Sequence, residues 1–390
     1  MIREALNRRG LLFDKLTLYL VFFIFLFIGS GNKAISYSPL FILFVYWVVN
    51  KITYRRQIRF YNDKFRWFPM LLLLAWVYGV LLGLLGGNDN VLVNNAGILL
   101  FTSYYFLESN RLKPTELKIL IVNMTTISII YYLFTLKVGL FDLQLSNLGK
   151  RIGGYNISGI FSATFLPVLI YNVFFSKKEY IILKSFYTNV FLLLLVSVIM
   201  VMFVASKGVY LSVLATLLIL FHVKLKEIRW SILIATIFLL FHFNIGIEKL
   251  VIFGESDSSN SQRYAMASDL TNELGFIGKG WGATFESVLL RGRDMAGYST
   301  ELSYMNLIHK IGIVSSIFFV FYGWLFFLIV RLLKSKKKNH KGSALISLGM
   351  ITYLFTSIGN PSLFAPIFVF MTVLALNLMN KELILSRNEE

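Results

Sequence analysis

Five charged positions carry residue types and spacings that suit the binding of an anion beside a carboxylate able to take a proton. Lys207 sits in Ala205 to Gly208, a turn with almost no loop between two apolar runs. Its ammonium either snorkels at a membrane boundary or folds inward between helices. Arg263 opens the series Arg263, Ala267, Leu270 and Leu274, which share one face of a short helix over 261–274. A guanidinium on an apolar stripe calls for an anionic partner unless it snorkels from the helix end. Glu301 heads a long apolar run, with Met305 and His309 on roughly its own face. An ionisable group at membrane depth faces a bundle interior or a wet cavity, and the helix macrodipole favours a carboxylate there; an interfacial N-cap is the plain alternative. Arg151 follows Lys150 ahead of Gly153 to Asn156, where boundary anchoring also accounts for both cations. Lys279 lies in Gly278 to Gly282, where alternate glycines let the backbone approach a neighbour closely. No βαβ unit surrounds that run, so it is a tight turn re-entering the membrane surface and not a nucleotide loop.

The elements that must position these residues follow from composition. The 390 residues are 57% hydrophobic, 37 of them Phe, and only 15% are charged; the mean hydropathy is +0.70. A soluble domain is roughly 45–50% apolar, so this chain needs lipid as a solvent. Crossing about 30 Å of hydrocarbon takes roughly 20 apolar residues in a helix. On that rule spans are expected near 14–30, 36–50, 67–86, 91–107, 117–136, 157–175, 187–205, 208–223, 230–247, 301–330, 342–359 and 361–380. The expected architecture is all-α and polytopic, about a dozen helices in a single membrane domain spanning 1–390. The apolar run from Leu16 lacks a small-residue cleavage site and reads as a retained first span.

Most of the 38 Lys and Arg residues fall on one side when the N-terminus is placed inside and the chain alternates. Both termini are then cytoplasmic, and 137–156 and 248–300 are the long outer segments. The net charge of +18 is explained by this bias, and nucleic-acid binding is set aside. The lysines from 334 to 338 read as an anchor at an anionic leaflet. The absence of cysteine excludes disulfides and thiolate metal sites, and no DxD pair stands ready to carry a divalent ion.

Taken together, the set resembles the Wzy-type oligosaccharide repeat-unit polymerases, which share an architecture with the O-antigen ligases. The resemblance rests on Ser206 to Gly208, on Arg263 ahead of Gly278 to Gly282, on Ser299 to Leu302, on Gly312 and Ile313, and on Asn360 and Pro361. It covers about residues 150–380, and the order and membrane side of the motifs carry it. It implies a GT-C-like, inverting, metal-independent glycosyltransferase without a cofactor. Its donor and acceptor would be undecaprenyl-pyrophosphate-linked oligosaccharides at the outer face of a bacterial inner membrane. The product would be O-antigen of lipopolysaccharide, capsule or a related surface polysaccharide. A chain-length regulator would be an expected partner. Lys207, Arg263 and Arg151 would contact pyrophosphate and Glu301 would act as base, where related ligases carry His. Tyr298, Tyr304, His309 and Lys279 are candidates for supporting contacts. A ligase and a twelve-helix transporter or lipid-oligosaccharide flippase are the rival readings; a two-halves transporter should show six-plus-six symmetry and midplane charge.

Overall fold

Asn62 begins the best-defined apolar helix, accepting at its side-chain oxygen from the amides of Lys64 (3.1 Å) and Phe65 (3.4 Å). The helix runs Asp63–Leu85 and stops at Gly86. Its outward residues Trp67, Leu74, Leu81 and Leu84 are exposed and apolar, while Phe65, Leu72, Trp76, Gly79 and Gly83 are buried. An apolar outer face is unfavourable in water and suited to lipid.

The computed structural model describes residues 2–27, 33–54, 59–89, 91, 103–141, 157–176, 180–202, 207–224, 258–285, 302–356, 363 and 366–388. Among them every regular element is helical. In chain order these are α1 (Ile2–Phe27), α2 (Lys33–Tyr54), α3 (Asp63–Leu85), α4 (103–108) and α5 (Pro114–Phe141). There follow α6 (Ile157–Ile170, closing in a π turn at Tyr171–Phe175), α7 (Phe186–Met202), α8 (Lys207–Lys224) and α9 (Ser258–Glu273). The last are α10 (Ser303–Ile311), α11 (Ser316–Leu333), α12 (Lys338–Ile351) and α13 (Pro366–Asn388), with a short turn of helix at Tyr353–Thr356. Three stretches are long and apolar enough to cross a membrane: Asp63–Leu85, Ser303–Leu333 and Phe368–Asn388. Shorter apolar helices lie at Phe41–Thr53, Thr164–Phe175, Phe186–Ser197 and Val213–Val223. The chain is a helical, membrane-associated protein. The expected span 230–247 lies outside the described residues, as does 92–102 of the expected span 91–107.

The bundle is built around α12 and α13, which pack on each other and on α5, α6 and α11. Side chains of α12 are buried from Gly342 to Ile351, and those of α13 from Phe368 to Asn380. Small residues make this closeness possible. A Cβ at Gly349 would strike the Thr164 carbonyl of α6, and one at Gly342 would meet Ile181.

At the end of the bundle near Asn62, several charged side chains fold into the protein. Asn380 donates to Glu108 Oε2 (3.0 Å) and to the Arg59 carbonyl (3.0 Å), and accepts from the Tyr61 amide (2.8 Å). Lys381 donates to Asn110 Oδ1 (2.7 Å) and to the Leu112 carbonyl (3.1 Å). Burial pushes the Glu108 carboxyl up to about 7, with Lys381 pulling the other way. Lys118 lies 3.5 Å from Glu382, which also accepts from Ser343 (2.8 Å). Both members of that pair are almost fully buried, at 8% and 4% side-chain exposure. Removing one partner of such a pair costs about 3–5 kcal/mol, because the other charge stays buried alone. Glu382→Ala is therefore expected to lower the melting temperature in detergent markedly, and the double change Lys118→Met with Glu382→Met to recover most of it. A melting point for Glu382→Ala equal to wild type would contradict the pairing.

Candidate functional site

At the opposite end of α3, about 35 Å away at 1.5 Å per residue, the segment 274–285 returns from α9 and wedges between α3 and α10. Its backbone is tied to both. The Lys279 amide donates to the His309 carbonyl (2.9 Å) and the Gly280 amide to that of Lys310 (2.8 Å). The Trp281 amide donates to the Gly79 carbonyl (2.9 Å), and its indole N–H to the Trp76 carbonyl (3.1 Å). In return the Lys279 and Trp281 carbonyls accept from the Asn88 side-chain amide, at 2.9 and 3.1 Å.

Two glycines make the fit obligatory. Gly280 has φ +83°, and a Cβ there would collide with the backbone of Gly83 and Leu82. Gly312 has φ +56°, and a Cβ there would meet the Phe276 carbonyl. The expected single span 301–330 is accordingly broken. α10 ends at Ile311, a 3-10 turn follows over Gly312–Ser315, and α11 resumes at Ser316. The break lets the Ile313 amide donate to the Phe276 carbonyl (2.8 Å).

The wedge closes over a polar cluster. Glu273, the last residue of α9, lies 3.3 Å from Lys279 Nζ and 3.4 Å from His309 Nε2. His309 is fully buried, its ring 4.2 Å from that of Phe285. Lys310 Nζ donates to the Ala283 carbonyl and sits 4.3 Å above the Phe285 ring, an arrangement in which the aromatic face stabilises the ammonium. α9 lies against this cluster through Met266 and Leu270, which pack with Phe285, Leu302 and Met305. The inward stripe of α9 thus centres on Met266 and Leu270, while Ala267, Glu273 and Leu274 are half-buried. Arg263 lies in α9 one turn before Met266, and its side chain is outside the described residues.

Of the residues singled out in the sequence, Lys279 and His309 meet at Glu273. Tyr304 points elsewhere: its hydroxyl donates to the Leu354 carbonyl (2.8 Å) and its ring packs by Phe319. Five residues separate Tyr304 from His309, about 140° around a helix of 3.6 residues per turn. Lys207 is the first residue of α8, with its side chain outside the described residues. α8 packs against Tyr353–Thr356, the same segment that receives Tyr304, so α8 and α10 share a neighbour. Arg151, Tyr298 and Glu301 lie outside the described residues; α10 begins two residues after Glu301.

Glu273, Lys310, Phe285 and Trp281 were not singled out from the sequence as site residues. Lys310 had a legible signal, a cation inside an apolar run. Glu273 had none beyond its place at a helix end, because its partners stand 6 and 36 residues further along the chain.

The cluster offers two ammonium groups, a carboxylate and an imidazole; His309 and Lys310 are buried, while the Lys279 side chain is 38% exposed. Such a site suits anionic groups, since fixed charges act strongly where water is excluded. No protein-family model, curated protein or solved structure matches the chain.

Proposed function

We propose that this protein is a polymerase that joins polyprenyl-pyrophosphate-linked oligosaccharide repeat units at the outer face of a bacterial inner membrane. In this reading it is a GT-C-like protein of about twelve spans with cytoplasmic termini. The observation that carries it is the docked segment 274–285, which gathers Lys279, Lys310, Glu273 and His309 at the end of α3 that the charge bias puts outside. α9 brings Arg263 to the same end, and Glu301 immediately precedes α10.

The reaction is a single displacement at an anomeric carbon. A hydroxyl of the acceptor repeat unit forms the new glycosidic bond while the bond to the pyrophosphate oxygen breaks. The configuration inverts, the hydroxyl proton passes to Glu301, and the electron pair leaves with the pyrophosphate. Charge accumulates on that leaving group, so cations held in place before reaction lower the barrier. Arg263 offers a planar fork to phosphate oxygens, and Lys207 acts as a point charge; Arg151 adds a third cation. Lys279 and His309 shape the floor beneath them through Glu273.

Complementation tests the reading. A strain lacking its own repeat-unit polymerase should regain a ladder of long glycans when it expresses this chain, and should accumulate single repeat units without it. A strain that expresses the chain and still makes only single repeats would refute the proposal.

Two further outcomes follow. Arg263→Ala and Lys207→Ala should each reduce polymer at least tenfold at unchanged protein level, since losing one preorganised donor typically costs 10²–10³ in rate. Wild-type ladders from both would remove the pyrophosphate roles. A chelator added to purified protein should leave chain extension unchanged, and restoration of lost activity by Mg²⁺ or Mn²⁺ would contradict a metal-free displacement.

A further inference from the structure

We infer that the knuckle Phe276–Ile277 is inserted among the hydrocarbon chains of the bilayer, making 274–285 a re-entrant membrane loop and not a surface loop resting on the bundle. Three independent observations converge on this.

The first is depth. The segment is hydrogen-bonded to α3 as far down as Trp76, nine residues before the helix ends at Leu85. At 1.5 Å per residue that is about 13 Å inside the helix end. On the other side it is bonded to His309 and Lys310, six and seven residues inside the apolar stretch Ser303–Leu333. Two apolar stretches long enough to cross a membrane thus put the loop at a similar level below their ends.

The second is the backbone. Irregular backbone at membrane depth persists only where protein satisfies its polar groups. Here the amides of 279, 280 and 281 donate to helix carbonyls. The carbonyls of 276, 277, 279 and 281 accept from Ile313, Tyr78 and Asn88. A loop at a water surface has no such requirement.

The third is the side chains left outside. Phe276 is 76% exposed and Ile277 60% exposed, though the backbone that carries them is fixed. Ile277 adjoins α3 at Tyr78, and α3 presents Leu74, Leu81 and Leu85 outward; Phe276 adjoins Ile313, which is 54% exposed. The knuckle therefore continues the lipid-facing surface of two spans. Two residues on, Lys279 pairs with Glu273 while its side chain stays 38% exposed. Apolar knuckle and polar cluster lie back to back, so the cluster is flanked by acyl chains. The inference rests on the membrane spans and not on the reaction proposed above.

The chain has no cysteine, so single-cysteine variants label cleanly. Phe276→Cys and Ile277→Cys would each carry a nitroxide in vesicles of phosphatidylethanolamine and phosphatidylglycerol, alongside Leu81→Cys on α3 and Thr271→Cys on α9. The expected result is relaxation by oxygen and severalfold shielding from a water-soluble nickel chelate at 276 and 277, matching 81 and opposite to 271. Nickel access equal to that at 271 would overturn the inference, and so would shielding from both reagents, the mark of a position covered by protein. Should either cysteine variant fail to give a monodisperse peak, Phe276→Trp read by brominated-lipid quenching replaces it; no added quenching over wild type overturns the inference equally. Glycan length in the same vesicles is scored separately, so a failed reaction and a misplaced knuckle give different results.

Discussion

Gly280→Ala should detach the segment 276–283 from α3 and cost the protein several kcal/mol of stability. An L-residue held at φ +83° pays about 1–2 kcal/mol in backbone strain. The new methyl would also lie inside contact distance of the Gly83 backbone, which is itself part of a helix and has no side chain to move aside. Relieving that collision means withdrawing the loop, and with it the amide bonds to Gly79, His309 and Lys310. Each buried bond left unmade adds about 1–3 kcal/mol. The measurement is a melting curve in detergent paired with limited trypsin digestion, because the Lys279–Gly280 bond is held in place in the wild type and freed in the variant. Gly87→Ala serves as the control: Gly87 has φ +68° but open space around its Cβ position, so it should lose only about 1 kcal/mol. Equal melting points and equal digestion for Gly280→Ala and wild type would show that the wedge is not a close packing contact.

Glu301→Gln should abolish polymer while protein level, melting point and the pool of single repeat units stay at wild-type values. The side chains are nearly isosteric, so the fold has little to lose, but an amide cannot take the acceptor's proton. General-base catalysis contributes about 10²–10⁴ in rate, enough to erase visible ladders. Long chains from Glu301→Gln would remove the residue as base. Attention would then pass to His309 and Glu273, which already form a 3.4 Å pair at the same end of the bundle.

Hydropathy and length anticipated helices among the described residues, three stretches of which are long and apolar enough to cross a membrane, because lipid demands long apolar runs. They could not tell which runs face lipid. α3 shows its apolar residues outward, whereas α12 and α13 bury theirs against other helices. An apolar side chain satisfies either neighbour, so the sequence is silent on the difference; Gly342 and Gly349 take on meaning only once Ile181 and Thr164 are seen beside them. Lys118 and Lys381 counted in the sequence only toward the positive bias of one side, and the structure pairs the first with buried Glu382 and the second with Asn110. Pairing makes that burial tolerable, and pairing across more than 250 residues is invisible in one dimension.

The site divides in the same way. The alternating glycines at 278–282 were legible as a close backbone approach, since only glycine tolerates such contact. Gly312 lay inside the expected single span 301–330 without marking a break, because its positive φ matters only once the Phe276 carbonyl is seen beside it. The packing stripe on α9 keeps the expected Leu270 and adds Met266 in place of Ala267, where Phe285 and Met305 stand. The cluster at Glu273 depends on the loop folding back on α10, which helical periodicity alone does not encode.

The most direct trial of the account is a reconstituted reaction. Purified protein in vesicles would be supplied with a polyprenyl-pyrophosphate-linked oligosaccharide repeat unit and nothing else. The account predicts that lipid-linked chains lengthen by whole repeats while one equivalent of free polyprenyl pyrophosphate appears for each bond made. Movement of intact lipid-linked oligosaccharide across the vesicle membrane, with no lengthening and no free pyrophosphate, would contradict it.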